Sequence, residues 1–341
     1  ADMLRQAMGS KRSRERMDDL KARFFDGMRA NGITDDIGEQ IWLKLAAFSN
    51  YGFPESHSVS FSYLVYASSW IKYHYPAAFC AALLKAQPMG FWSPHTLVGD
   101  ARRHGVVVRT PDLNRSAATA TLEPCEGSTG SVSVRLGFDD VRGIGRDLAE
   151  EIGAGRPFAS VEDLRRRVPS LSLAHLEALA TAGAFGCFGI DRRSALWAAG
   201  AMSQTSAGRL PGIVTGVEAP TLPGMSPQEL SHADLWATGV APDGHPTSFI
   251  RGDLTERGVV TATDLADMAS GERVLVGGVV THRQRPATAQ GTTFLNLEDE
   301  TGLVNVVVSK GCWQRYRQIA KGAPALLIRG RLEKEEGVIN I

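Results

Sequence analysis

The chain has 341 residues, 43% hydrophobic and 22% charged, and its 37 basic side chains are balanced by 37 acidic ones. That composition builds ordinary globular cores, two or three domains at this length, and leaves no overall field to attract a polyanion; any grip on nucleic acid must come from local patches. No apolar run approaches membrane-spanning length, and Cys80, Cys125, Cys187 and Cys312 are too dispersed for a C-x-x-C metal or redox pair, a pattern that fits reduced thiols in the cytosol.

Ala1 to His104 reads as helical. Asp18 to Arg29 is a charged helix with Leu20, Phe24, Phe25 and Met28 on one side, closed by Asn31-Gly32; Ile37, Ile41, Leu45 and Phe48 then recur at helical spacing. Phe61, Leu64, Val65, Ile71 and Tyr75 form the next apolar stripe, stopped by Pro76, which opens another helix. Tyr63, Tyr66, Trp70 and Tyr73 are expected in a core. Ser93-Pro94 is an N-cap with proline at the first helical position. Val106 to Val108, Thr119 to Leu122 and Val132 to Leu136 are short strands, expected to form a small antiparallel connector.

From Leu136 to Gly200 the pattern is helical in short pieces, and Ala201 to Gln228 is rich in Gly, Pro, Ser and Thr, as a linker or strap would be. Beyond Arg273 come three strand patterns, a helix from Cys312 to Lys321, and further strands, the order of an OB-fold barrel. The expected class is therefore α+β and multidomain. The chain opens mid-helix in pattern and closes on what looks like an interrupted strand, so it is expected to be part of a longer protein.

Four constellations bear on chemistry. Between Met3 and Arg16 lie Arg5, Lys11, Arg12, Arg14 and Arg16 against a single acid, Glu15. A triphosphate needs fixed cationic donors, although an isolated cluster of this kind is usually a solvated face. Ser56-His57-Ser58 precedes an aromatic helix, as an N-cap does, and no companion acid makes a hydrolytic triad of it. Arg142-Gly143-Ile144-Gly145-Arg146 places two glycines between an apolar segment and a helix, the device by which a helix-hairpin-helix grips a DNA backbone through free amides without reading bases; a plain turn is the alternative. Gly183 to Gly186 offers a second such turn. Finally, His282, Arg283 and Arg285 lie on the connection after the first barrel strand, where OB-folds hold single strands; the arginines would meet phosphates and His282 or Phe294 would stack on a base. Trp313 and Tyr316 are expected to pack in the core. Glu298-Asp299-Glu300 is expected to be an exposed turn, and Asp139-Asp140 to start a helix; neither separates carboxylates as a two-metal site must.

Read together, the run NYGFPESHSVSFSYLVYASSWIKYHY from Asn50 to Tyr75, the AQPMGF stretch, and the later RQRPAT and LEDETG stretches resemble the bacterial C-family DNA polymerases, the family of the polymerase III α subunit, and within it the error-prone branch. The resemblance runs along nearly the whole chain, in the order fingers, connector, tandem hairpins, OB-fold. It implies these divisions: 1–105, the end of the fingers; 106–137, a β connector; 138–200, tandem helix-hairpin-helix; 201–272, linker and strap; 273–341, the OB-fold, its last strand short. It further implies that Arg5, Lys11, Arg12 and His57 lie near the phosphates of an incoming nucleotide. Gln6 and Ser10 depart from the replicative pattern, where basic residues are usual. The metal-binding aspartates of the palm, and with them two Mg²⁺ ions, belong to sequence upstream, so this portion alone is expected to be inactive. The implied partners are primer-template DNA, a deoxynucleoside triphosphate, and accessory mutasome proteins that reach the sliding clamp, with weak or no direct clamp binding, in the cytoplasm. The competing class is a non-catalytic adapter of repair or recombination built from hairpins and an OB-fold. It accounts for Leu136 to Ile341 but not for the fingers-like first portion. A tRNA-binding OB module is a third possibility, opposed by the tandem hairpins.

Overall fold

The computed structural model describes residues 13–48, 55–202, 216–286 and 289–341, and contacts divide the chain into two compact units, 1–71 and 72–341. In the first unit, α1 (Ser13–Ala30) and α2 (Asp35–Phe48) pack through Trp42, which is buried among Leu20, Phe24, Phe25 and Leu45. Gly32 adopts φ +74° after α1, a conformation that glycine reaches without steric cost, and Arg29 Nε meets Asp35 Oδ1 at 2.9 Å across the turn. Helix α3 (Glu55–His74) differs from expectation. Tyr63, Tyr66 and Tyr73 are 74% to 82% exposed, and Phe61, Leu64, Val65, Trp70, Ile71 and Tyr75 are exposed as well. Apolar residues are spread around this helix, so no one face collects enough of them to be buried.

The second unit has three cores. In the first, α4 (Pro76–Lys85) and α5 (Pro94–Arg103) cover a three-stranded sheet of β1 (Val108–Arg109), β2 (Thr121–Pro124) and β3 (Val132–Arg135). Pro76 at the start of α4 and Ser93, whose Oγ accepts from Thr96 N at 3.2 Å, set the two helix starts as the sequence indicates. The sheet is mixed, not antiparallel: β3 is central, antiparallel to β2 but parallel to β1, with Val108 opposite Val134. The long connection from Arg109 to Thr121 lets the chain cross over β3 before the β2–β3 hairpin forms.

The second core is helical: α6 (Arg146–Ala154), α7 (Val161–Arg167), α8 (Leu173–Thr181), α9 (Arg192–Met202) and α10 (Pro227–Thr238). Leu164, Leu176, Leu179 and Phe185 are fully buried, and Ala178, Ala180, Ala195 and Ala199 let the backbones of α8 and α9 approach closely.

The third core lies in the β-rich end. After α11 (Arg251–Glu256), β4 (Val259–Val260) and the long β5 (Arg273–Gln284), strands β6 (Thr293–Glu298) and β7 (Leu303–Val308) continue an antiparallel meander. Helix α12 (Lys310–Gly322) then leads to β8 (Ala325–Arg331), β9 (Glu333–Glu335) and β10 (Val338–Asn340). One edge of β5 takes β4 and then β6; the other takes β8. β10 is parallel to β7 and antiparallel to β9. The α+β class is therefore as expected, whereas both sheets are mixed and, among the described residues, the ladders do not close into a barrel. Between β8 and β9 the fully buried Leu332 turns its backbone to Gly271 and Glu272, at 2.7 and 2.8 Å. Among the described residues no helix is long and apolar enough to cross a membrane.

Candidate nucleic-acid interface

The first hairpin is two consecutive turns, not a helix begun at Asp139-Asp140: Val141 N donates to Phe138 O and Ile144 N to Val141 O, each at 3.0 Å. Phe138, Val141 and Ile144 are buried and peg the turn to the helical core, while Arg142, Gly143, Gly145 and Arg146 are exposed. Gly143 has φ +81°, a left-handed conformation that a side chain would strain. Gly145 is the N-cap of α6 and has no side chain to occupy the first-turn amides. The N–H groups of Gly143, Gly145 and Arg146 find no acceptor among the described residues. Open amides at the start of a helix suit an anionic oxygen.

The two arginines differ. Arg146 Nη2 is paired with Asp139 Oδ2 at 3.1 Å. Arg142 has no acidic partner among the described residues; its guanidinium lies 4.8 Å from the Trp236 ring centroid, and its backbone N–H donates to Ala237 O at 2.7 Å. Asp140, beside the hairpin, accepts from Gly137 N at 2.8 Å, and burial pushes its carboxyl up to about 6.

The second turn has the glycines but not the opening. Gly183 N, Gly186 N and Gly189 N donate to Ala180 O, Gly183 O and Gly186 O. Arg192 closes over it: a Cβ on Gly183 would stand 3.0 Å from Arg192 Nε, and Arg192 also meets Asp234 Oδ1 at 2.6 Å and Thr181 O at 3.0 Å. Its amides serve the fold.

In the β-rich end the four expected residues separate. His282 is buried; its Nε2 lies 2.7 Å from Phe91 O, its Nδ1 3.0 Å from Thr281 Oγ1, and its ring 4.6 Å from that of Trp92. Arg283 donates from Nε to Ala320 O at 2.8 Å and from Nη2 to Ala323 O, capping the end of α12. Arg285 lies 6.0 Å over the Trp313 ring, and Phe294 is 37% exposed on β6 opposite Gln284 and Val307. Trp313 is buried as expected; Tyr316 is half exposed.

The acidic turn is a correction of another kind. Glu298 and Asp299 are buried, not exposed. Glu298 accepts from Thr96 Oγ1 at 2.9 Å and from Arg103 Nη1 at 3.2 Å, joining α5 to β6; Asp299 accepts from Ala262 N at 2.8 Å. Burial raises the Glu300 carboxyl, but hydrogen bonds from Arg251 and Thr247 outweigh it and hold the group down at about 2. Beside them a cavity of 360 Å³ is lined by His95, His245, Arg102 and Arg103, among others, with the two imidazole centroids 5.4 Å apart. Burial, reinforced by His95, pushes His245 down to about 4.

Arg5, Lys11 and Arg12 lie outside the described residues, and His57 falls in α3 where the side chain is not described. Trp236 and His175, both beside the hairpin, were not legible as site residues: each sits in an ordinary helical pattern, and only the tertiary fold brings it to Arg142 or Gly143. Among the described residues no group of three or more His, Cys, Asp or Glu could hold a metal ion.

A helix-hairpin-helix motif family matches residues 105–195, which include both turns. The whole chain aligns with proteins named error-prone DNA polymerase: 57% identity to those of Mycolicibacterium paratuberculosis and Mycobacterium tuberculosis, and 50% to that of Corynebacterium glutamicum. In each case all of this chain is covered, but only 31% to 32% of the relative. Along its full length the chain is therefore similar to proteins named error-prone DNA polymerase, and it corresponds to about three tenths of their length.

Proposed function

We propose that the chain is the DNA-gripping portion of an error-prone DNA polymerase that acts in translesion synthesis. The reaction is nucleotidyl transfer from a deoxynucleoside triphosphate to a primer 3′ end, an in-line displacement that two Mg²⁺ ions assist. Those ions are assigned to other parts of the longer protein, and this portion alone is expected to be inactive. The single observation that carries the reading is the Gly143–Arg146 turn, with three amides that have no acceptor and an Arg142 that has no acidic partner among the described residues, in a chain 57% identical to named polymerases.

Within this reading, residues 138–200 hold the duplex backbone. The segment 273–341 is an OB-fold for the template strand, supported by the strand order β5-β6-β7-α12-β8 and the parallel β7–β10 pair. Arg285 and Phe294 are its contacts to single strands. Arg5, Lys11, Arg12 and His57 meet the triphosphate within the fingers segment, 1–105. The β connector is 106–137 and the strap 201–272. Accessory proteins carry the polymerase to the sliding clamp in the cytoplasm, with weak or no direct clamp binding.

Binding of primer-template DNA by the intact protein across a salt series tests the reading. Neutralising Arg142 and Arg146 together lowers the slope of log K against log salt by about one to two. An unchanged slope removes the hairpin from the interface.

A further inference from the structure

We propose that the phosphate site of the first hairpin reaches beyond its own turn: Trp236 on α10 is a positioning residue for Arg142, and His175 on α8 adds a donor beside Gly143. The inference rests on the reading of the hairpin as a DNA-backbone site, and it concerns residues that the turn itself does not contain. Helix α10 begins at Pro227, past the matched residues 105–195.

Arg142 has no carboxylate partner among the described residues, so it can meet a phosphate without breaking an ion pair seen there; Arg146 cannot, because Asp139 holds it. A free arginine on a turn samples many rotamers, and ordering it on binding opposes affinity. The Trp236 face, 4.8 Å away, restricts that freedom while Arg142 stays exposed. Trp236 is 50% exposed, so the indole is not a core side chain. Its own position is fixed. A capping box between Ser226 and Glu229 starts α10, the Arg192–Asp234 pair holds the helix to α9, and the next residue, Ala237, is fully buried and accepts the Arg142 N–H.

His175 stands beside Gly143. A Cβ on Gly143 would lie 3.6 Å from its Cδ2, the ring carbon bonded to Nε2. Ser172 N donates to His175 Nδ1 at 3.1 Å, and His175 N donates back to Ser172 Oγ at 3.2 Å. With Nδ1 accepting, the neutral ring carries its proton on Nε2, and that N–H is a donor next to the open amides of Gly143 and Gly145.

The test measures binding of a fluorescein-labelled primer-template duplex by the intact protein over a salt series. Arg142→Ala lowers the salt slope by about one. Trp236→Ala lowers affinity about two- to fivefold, the range of an exposed cation–π contact, with the slope unchanged because no charge is lost. Trp236→Phe restores most of that affinity. In the Arg142→Ala background, Trp236→Ala has no further effect, since the two act as one unit. His175→Glu keeps a capping box of the S-x-x-E type, so the melting temperature holds, but it replaces the donor with a repelling carboxylate and affinity falls about tenfold or more. Full affinity in Trp236→Ala, additive losses in the double variant, or full affinity in His175→Glu overturns the inference while leaving the hairpin reading standing. An Arg142→Ala protein that binds with wild-type affinity and slope overturns both.

Discussion

The hairpin core and the β-rich end carry the same ingredients, arginines beside turns, and use them in opposite ways. At the hairpin, apolar pegs take the inward positions, backbone carbonyls satisfy the N–H groups of Val141, Arg142 and Ile144 but not those of Gly143, Gly145 and Arg146, and Arg142 has no acidic partner among the described residues. In the β-rich end, His282 and Arg283 are consumed by Phe91 O and by carbonyls at the end of α12, and Glu298, at the end of β6, joins α5 to the strands. A short turn that satisfies itself leaves its exposed groups available to a ligand. A long strand crossing several elements meets many unsatisfied groups and is recruited to serve them.

The sharpest way to break this contrast is to disturb the strands alone. A Cβ on Gly278 would stand 2.6 Å from the backbone oxygen of Glu298, and neighbouring backbone cannot yield as a side-chain tip does. Gly278→Ala is expected to destabilise the β-rich end by about 3 kcal/mol or more, seen as a lowered melting temperature. Duplex affinity at temperatures below that transition stays within about twofold of wild type, since the hairpin has its own core. Equal loss of duplex binding would show the two regions to be one functional body.

The two regions also carry buried groups of opposite pH dependence. Asp140, on the hairpin side, titrates in the folded state at about 6, against 3.8 when exposed. Between those values the folded protein holds a proton that the unfolded chain has released, so this group's contribution falls as pH rises from about 4 to 6. His245, at the junction with the β-rich end, is pushed from 6.5 to about 4. There the unfolded chain binds the extra proton, and stability rises with pH across about 4 to 6.5. Each contribution is at most about 3 kcal/mol, so the two nearly cancel in the parent protein. Denaturant titrations of Asp140→Asn and His245→Gln separate them: the first variant gains stability with rising pH relative to wild type, the second loses that gain. Parallel pH profiles for both variants and the parent would refute the opposition.

How much of this was legible beforehand follows the same division. Gly143 and Gly145 were readable because a tight turn and a helix start are decided by residues within a few positions. The helix starts at Pro76 and Ser93, and the strand-helix-strand order after Arg273, were readable for the same reason. The fate of His282 depended on Phe91, which lies 191 positions away, and that of Glu298 on Thr96, 202 positions away; no local pattern contains such information. The parallel pairing of β1 with β3 and the interruption at Leu332 are likewise long-range outcomes. The aromatic helix α3 misled in another sense. Its composition signals a core, but apolar residues on every face leave most of them exposed whichever face packs.

The smallest expected effects probe the β-rich end residue by residue. Arg283→Ala removes two hydrogen bonds to the end of α12, at Ala320 O and Ala323 O, and is expected to cost about 1 to 2 kcal/mol of stability. Because that guanidinium is already engaged, the salt slope for single-stranded DNA does not change. Arg285→Ala does the reverse: its guanidinium rests 6.0 Å over the Trp313 ring with no carboxylate partner among the described residues, so stability changes by only a few tenths of a kcal/mol while the slope falls by about one. Phe294→Ala weakens single-strand binding by about 1 to 3 kcal/mol if the half-open ring stacks on a base, and leaves the slope alone because no charge is involved. The three variants thus separate capping, charge and stacking by which of two readouts moves. Should Arg283→Ala lower the slope and Arg285→Ala not, the arginine that caps α12 would also be the one that meets the strand, and the rule that an internally satisfied side chain is withdrawn from binding would fail at this site.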